Sequence, residues 1–273
     1  MLVETPFRLK MTGGDADRHM FQAYDGYTAL AGFSLTLSLV TNYVETGEIR
    51  HRGNFEGRGL VKARPIEEGS VVADFVVKLA KASVLGMVGV SETAASRLLV
   101  DLTKRTIDRN LGNQTDAASP ELQMLEEGRD TRGDLEALVA ATEPSVKQTH
   151  NVIGFGAQSL DIYGGTKKLG NYNPSTKAYV SGSYLDKNIR EKNVSVASFN
   201  VNTGSGGAYD FELKRVIPIS VNKDTLSSAK SILTWGIDQY ANTTGGLVAL
   251  RYQTILALDD TVKKYIVIDA SIA

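Results

Sequence analysis

The sequence contains no cysteine. That removes disulfides, thiolate nucleophiles and cysteine-ligated zinc sites together, and it fits a reducing cytoplasm, where we expect the protein to reside. Neither sign of charge is in excess. Thirty Lys and Arg stand against 31 Asp and Glu, a net charge of −1, so no general attraction to nucleic acid or anionic lipid is expected. The start, MLVETPFRLK, lacks the basic region and apolar core of a signal peptide. No internal repeat, long low-complexity segment or recognisable catalytic motif occurs. No cofactor is implied, and an enzyme is the less favoured reading.

What is present is one long apolar stretch, Gly26 to Val44, without a charged residue. We read it as the centre of a helix of roughly thirty residues, capped near Asp15 or Asp17 and ended by Gly47. Met20, Tyr24, Tyr27, Leu30 and Ala31 form one apolar set, and Phe33, Leu37, Val40 and Val44 a second. Apolar surface on several sides predicts burial in a core or an oligomer interface. Gly26 and Gly32 would each cost up to about 1 kcal/mol in a helix interior, which predicts a close neighbouring backbone or a kink. A bilayer-spanning helix is the disfavoured alternative. The stretch holds several hydroxyl side chains, and Asp25 and Glu45 flank it without a Lys or Arg anchor.

At 273 residues the chain has room for two domains. Thr5 to Met11 alternates as a half-buried strand, and Leu60–Arg64 and Val71–Leu79 read as two more around a turn at 65–69; residues 49–55 read as a short polar strand. Helices are expected over 92–111, 121–127 and 134–142, with another opened by Pro144. The fold class predicted is α+β. A long central helix packs on a small antiparallel sheet with further helices over 1–150. A glycine-rich linker with one short strand follows over 151–175. A small OB-like or SH3-like β-barrel with one helix occupies 176–273. Its strands are expected at 178–185, 194–202, 208–221, 247–258 and 262–269, with a helix from about 225 to 241.

Asp15, Asp17 and His19 have the types of ligand that hold a divalent metal, though a capped helix start is the favoured reading and no metal is assigned. Arg50, Arg52 and Arg58 surround His51 in a glycine-rich run, the most suggestive anion site of the first half, though a solvated sheet edge is the favoured reading. His150 precedes Gly154-Phe155-Gly156, a weak nucleotide signal without a strand–turn–helix context. Thr203-Gly204-Ser205-Gly206-Gly207 lacks the pattern of a nucleophile elbow and reads as a hairpin loop. On the barrel, Phe199, Tyr209, Phe211, Lys214 and Arg215 are the candidate ligand-binding residues. Aromatic faces beside cations suit an unpaired nucleic-acid strand.

Ala23-Tyr24-Asp25, Gly47-Glu48-Ile49-Arg50, Ser198-Phe199-Asn200-Val201-Asn202 and Ile217-Pro218 resemble segments of an uncharacterised bacterial family of two-part hypothetical proteins. The resemblance spans most of the chain. It implies bacterial or mobile-element origin and a β-rich C-terminal module, and carries no established activity. The function expected is a non-enzymatic binding and assembly protein, homo-oligomeric through its first domain and holding a ligand or partner on its barrel. The alternatives are nucleic-acid or nucleotide binding through the barrel, a metal-dependent hydrolase built on Asp15, Asp17 and His19, and a membrane-active protein that releases its central helix.

Overall fold

The computed structural model describes residues 3–50, 60–64, 71–79, 92–113, 119–127, 131, 133–258 and 260–273. The chain is a mixed α+β protein that divides into two compact units: Met1–Leu125 with Ala141–Ser181, and Glu126–Ala140 with Gly182–Ala273. The expected strand at 49–55 lies mostly outside the described residues, and the turn at 65–69 wholly so.

The first unit is a five-stranded antiparallel sheet in the order β2-β3-β1-β4-β5. Its strands are β1 (Val3–Thr12), β2 (Val61–Ala63), β3 (Val72–Leu79), β4 (Ser159–Gly164) and β5 (Lys167–Tyr172). β1 alternates as its sequence predicts. Thr5, Phe7, Leu9 and Met11 are buried, while Glu4, Pro6 and Arg8 face outward. Helix α1 (Ala23–Thr46) lies against β2 and β3, with Phe33 meeting Phe75 edge to face at 5.3 Å. Helix α2 (Glu92–Asn110) packs on β1, β5 and α1. The unit is completed by α3 (Pro120–Glu127), the second half of α4 (Asp134–Thr149) and α5 (Pro174–Ser181).

Three expectations about this unit change. The central helix begins at Ala23, because residues Gly14–Arg18 form a separate 3-10 helix and His19 turns left-handed at φ 60°. It ends as expected, with Gly47 left-handed at φ 75° and its N–H bonded to the Tyr43 carbonyl. Phe33, Leu37, Val40 and Val44 are fully buried, but Met20, Tyr24 and Tyr27 stand exposed. No helix of the described residues is long and apolar enough to cross a membrane. The two helices expected on either side of Pro144 are one, with Pro144 inside it.

Residues 151–175, read as a linker with one short strand, carry β4, β5 and the start of α5. Their glycines serve packing. A Cβ on Gly164 or Gly170 would come within 3.1 or 3.0 Å of Val100 or Ile107, which ride above the hairpin on α2. Arg105 is 3% exposed, and Thr103, Thr106 and Asp108 are buried with it, so α2 is covered over polar residues as well as apolar ones.

The second unit is a ring of five strands: β6 (Ser183–Asn200), β7 (Ser205–Asp210), β8 (Arg215–Val221), β9 (Val248–Ala257) and β10 (Val262–Ile272). They pair in the order β10-β8-β7-β6-β9. β9 also pairs with β10. β8 and β10 run parallel and the remaining neighbours antiparallel. Long β6 bends through register shifts, pairing with β9 along its first part and with β7 along its last. Helix α6 (Lys223–Ala241) lies between β8 and β9 in sequence and packs on β6 and β10. It comes close at Gly236, where a Cβ would sit 2.7 Å from Val248 and 2.9 Å from Val196. The core inside the ring includes Val194, Val196, Ile217, Ile219, Leu250, Tyr265 and Val267, with Leu233 from the helix. The strand expected at 178–185 is the end of α5 followed by the start of β6, and the long strand expected at 208–221 is two strands joined by a turn at 211–214.

Candidate functional site

The β7–β8 turn is organised by one buried carboxylate. Asp210 is fully buried at the end of β7. Its Oδ1 accepts the backbone N–H groups of Glu212 at 2.9 Å and Leu213 at 3.0 Å. Its Oδ2 accepts the Tyr265 hydroxyl at 2.5 Å and Lys192 Nζ at 2.9 Å. Lys192 also reaches Glu212 at 2.6 Å. Burial works against the Asp210 charge, but the Tyr265 hydroxyl, the Leu213 N–H and Lys192 together hold its pKa below the usual carboxylate value. Burial, and then the neighbouring Asp210, push the Tyr265 phenol up. The turn closes through Lys214 at φ 52°, a conformation uncommon for a residue with a side chain.

This frame sorts the five residues singled out on the barrel. Phe199 is 4% exposed and belongs to the core, so it offers no stacking face. Arg215 is tied to β10, donating from Nη2 to the Val262 carbonyl at 2.6 Å. Phe211 is half exposed and meets Tyr209 edge to face at 5.2 Å. Lys214 closes the same turn, and Leu213 beside it is 41% exposed. Tyr209 and Phe211 therefore form a ring pair at the turn that Lys214 closes, with Phe211 and Lys214 exposed, and Phe199 does not join them.

The other end of this strand pair is covered by the chain itself. Gly133 approaches so closely that a Cβ there would lie 2.5 Å from the Phe199 carbonyl carbon, and its φ is +97°. Asn200 donates from Nδ2 to Asp134 Oδ1 at 2.8 Å. Its Oδ1 accepts the N–H groups of Asn202 and Thr203, which shapes the loop from 201 to 204. A Cβ on Gly207 would meet Glu136 Oε1 at 3.4 Å. The Ser198–Asn202 stretch and the glycines after it thus seat the first turn of α4. Ser205 is a buried strand residue, paired with Asn200 and Ser220.

In the first unit, Asp17 Oδ1 accepts the Gly13 N–H at 2.8 Å, and Asp15 pairs with Arg18 at 2.5 Å. Both carboxylates stabilise the 3-10 helix before α1. Among the described residues, no three His, Asp or Glu side chains are gathered so as to hold a metal ion. Arg50 is paired with Glu48, while His51, Arg52 and Arg58 lie outside the described residues.

His150 is fully buried and stacked on Tyr172, with ring centroids 4.1 Å apart and planes 6° from parallel. Its Nδ1 faces the Val146 carbonyl at 2.8 Å and its Nε2 the Thr176 hydroxyl at 3.0 Å. A carbonyl only accepts, so Nδ1 carries the proton of the neutral ring, while the Thr176 hydroxyl beside Nε2 also reaches the Asn173 carbonyl at 3.0 Å. Burial, with Lys177 nearby adding a smaller repulsion, pulls the imidazole pKa down to about 4. The folded state therefore favours neutral His150. Stability from this group is complete above the unfolded value near 6.5 and declines as pH falls toward 4, by about 3 kcal/mol in all at about 1.4 kcal/mol per unit. Urea unfolding at pH 7 and pH 5 should show about 2 kcal/mol of this fall, and His150→Phe should flatten it. An unchanged slope in the variant would assign the effect elsewhere.

Residues 7–181 match a domain of unknown function designated DUF7946, and residues 188–271 match a family of unknown function designated DUF7947. The first match covers more than half of the chain, and the chain belongs to that family. The two-part character read from the sequence is thus present in the families themselves, whose matches divide between residues 181 and 188. No curated protein and no solved structure matches the chain.

Proposed function

We propose, starting from this two-part family, that the protein is a non-enzymatic binding and assembly protein of the cytoplasm, and that its second unit is an OB-type barrel holding a partner at the β7–β8 turn. The connectivity supports the barrel type. A long first strand pairs with both the second and the fourth, the third and fifth run parallel, and the helix lies between the third and fourth. In OB barrels the face of strands two and three is a usual binding surface.

The observation that carries the reading is the corner formed by Tyr209, Phe211 and Lys214. An aromatic face held half in solvent beside a cation suits stacking on an unpaired nucleic-acid strand, the partner this corner favours. Exposed Glu212 opposes it and limits the expected affinity. Fluorescence anisotropy with a labelled oligothymidylate, titrated at low and moderate salt, tests this. Phe211→Ala should weaken binding about tenfold or more, the scale of one base stacked on an aromatic ring. Lys214→Gln should weaken it and reduce the salt slope by about one phosphate contact. No binding by the native protein at low salt would end the nucleic-acid reading and leave the corner to a protein partner.

Self-association belongs in this proposal to the start of α1 and the segment before it, where Tyr24, Tyr27 and Met20 face solvent. Light scattering after size exclusion should show an oligomer that Tyr24→Ser with Tyr27→Ser dissociates. A native monomer would remove this part of the reading.

A further inference from the structure

We propose that the first unit contains a separate ligand site: an open cleft of about 810 Å³ that binds a small, non-aromatic phosphate ester between Arg97 and Lys167. The cleft lies between the start of β1, the first half of α2, the start of α3 at Ser119 and Pro120, and the β4–β5 turn at Gly164 to Lys167. Its size suits a small molecule. The inference is independent of the barrel.

Its two cations are held alike. Arg97 Nη2 bonds Glu121 Oε1 at 2.8 Å, with side chains 52% and 12% exposed. Lys167 Nζ bonds Asp101 Oδ1 at 2.5 Å, with side chains 41% and 6% exposed. In each pair the carboxylate is sunk and the cation stands out. The acid orients the cation and leaves its other N–H groups facing outward. Glu121 Oε2 is buried without a hydrogen-bond partner, so it can take a second N–H and lock the guanidinium as a fork.

The hydroxyls point the same way. The Thr5 hydroxyl donates to Ser96 Oγ at 2.9 Å, which leaves the Ser96 O–H as a donor. Ser119 Oγ accepts the Leu122 N–H at 3.3 Å, which leaves its O–H likewise. Both serines line the cleft with the two cations. A lining rich in unspent donors calls for a ligand rich in acceptors, and a phosphate offers them at the highest density. The remaining acid of the lining, Glu4, is paired with Lys78 at 2.7 Å. No aromatic side chain is among the described lining residues, so a nucleobase finds nothing to stack on, and an aliphatic or polyol ester is the class that fits.

Isothermal titration calorimetry of the full chain with glycerol 3-phosphate, inorganic phosphate and adenosine monophosphate tests this. Glycerol 3-phosphate should bind, inorganic phosphate more weakly, and the nucleotide no better than the glycerol ester. Arg97→Gln and Lys167→Gln should each weaken binding by about tenfold, the loss of one charge-assisted contact. Ser96→Ala should have a smaller effect in the same direction. Both cations are surface side chains, and circular dichroism would verify that the variants fold; if one does not, the other carries the test. No heat with any probe at millimolar concentration, unchanged affinity in a folded cation variant, or preference for the nucleotide would overturn the inference.

Discussion

Replacing Asp210 with alanine is expected to destabilise the second unit by about 3–5 kcal/mol, the range for breaking a buried, hydrogen-bonded ion pair by removing one partner. The substitution leaves the Tyr265 hydroxyl and two turn N–H groups without their acceptor. It also leaves Lys192 with Glu212 alone, whose side chain is 79% exposed. Asp210→Asn, which keeps one carboxamide oxygen, should lose less. Trp235 is the chain's one tryptophan and packs against the ring's core, so its fluorescence during urea unfolding follows this unit. The pH dependence separates charge from shape. The Asp210 pKa is lowered on folding, so its contribution is full above 3.8 and is lost as pH falls through the lower folded value. The native unit should weaken in that acid range, and the part of the slope due to this residue should vanish in Asp210→Asn. An Asp210→Ala protein within about 1 kcal/mol of native stability would mean that water replaces the carboxylate at little cost.

Gly32→Val should destabilise the first unit by about 3 kcal/mol, at the upper end of the cost of forcing atoms into a packed core. A Cβ at Gly32 would lie 2.7 Å from the Ser145 carbonyl oxygen and 2.7 Å from the Thr149 nitrogen. Both are backbone atoms of α4, so no rotamer relieves the clash. Alanine in a helix gains up to about 1 kcal/mol over glycine, which offsets only part of the clash in Gly32→Ala. Gly26 supplies the control. A Cβ there would meet the Phe21 ring, a side chain that can swing aside. Gly26→Ala should therefore cost distinctly less than Gly32→Ala in unfolding followed by far-ultraviolet circular dichroism. Equal losses would show that helix conformation, and not the α4 backbone, governs both positions.

Much of the first unit is legible in its sequence because period and burial agree there. β1 alternates and is buried on alternate residues, β3 is apolar but for Asp74 and Lys78, and α2 fills the expected helical range almost completely. The close backbone inferred from glycine inside the central helix is α4 at Gly32. Misreadings arise where a residue serves packing while resembling a breaker. Gly164 and Gly170 suggest a linker, yet they are small because α2 lies on the hairpin. Pro144 suggests a helix start because proline lacks an N–H, yet the helix continues through it, forgoing one bond to the Ala140 carbonyl.

The five strands of the second unit are counted correctly through two errors that cancel. The polar first part of β6 shows no alternation, since most of its side chains are exposed, so this one strand reads as two, at 178–185 and 194–202. The turn at 211–214 has neither glycine nor proline, so 208–221 reads as one strand. The signal available was Asp210, whose side chain can satisfy turn N–H groups and so replace glycine as the bend-former. The corner of Tyr209, Phe211 and Lys214 was legible as residue types. The burial of Phe199 and the tether on Arg215 were not, because both depend on partners far along the chain. The cleft of the first unit was invisible for the same reason. Arg97 and Asp101 lie on α2, Ser119 leads into α3 and Lys167 begins β5, and only the fold brings them together.

The bend in β6 has one more consequence. From Ser183 to Val194 the strand pairs with β9, and its pairing with β7 begins only at Ser195. Among the described residues, one border of that stretch thus has no neighbouring strand, and such a border is a template on which another polypeptide can add. Asp186, Lys187, Arg190, Glu191 and Lys192 fall within it. An incoming strand would strip water from several of these charges. The stretch whose polarity hides it from a pattern reading is thereby what keeps the open border from polymerising.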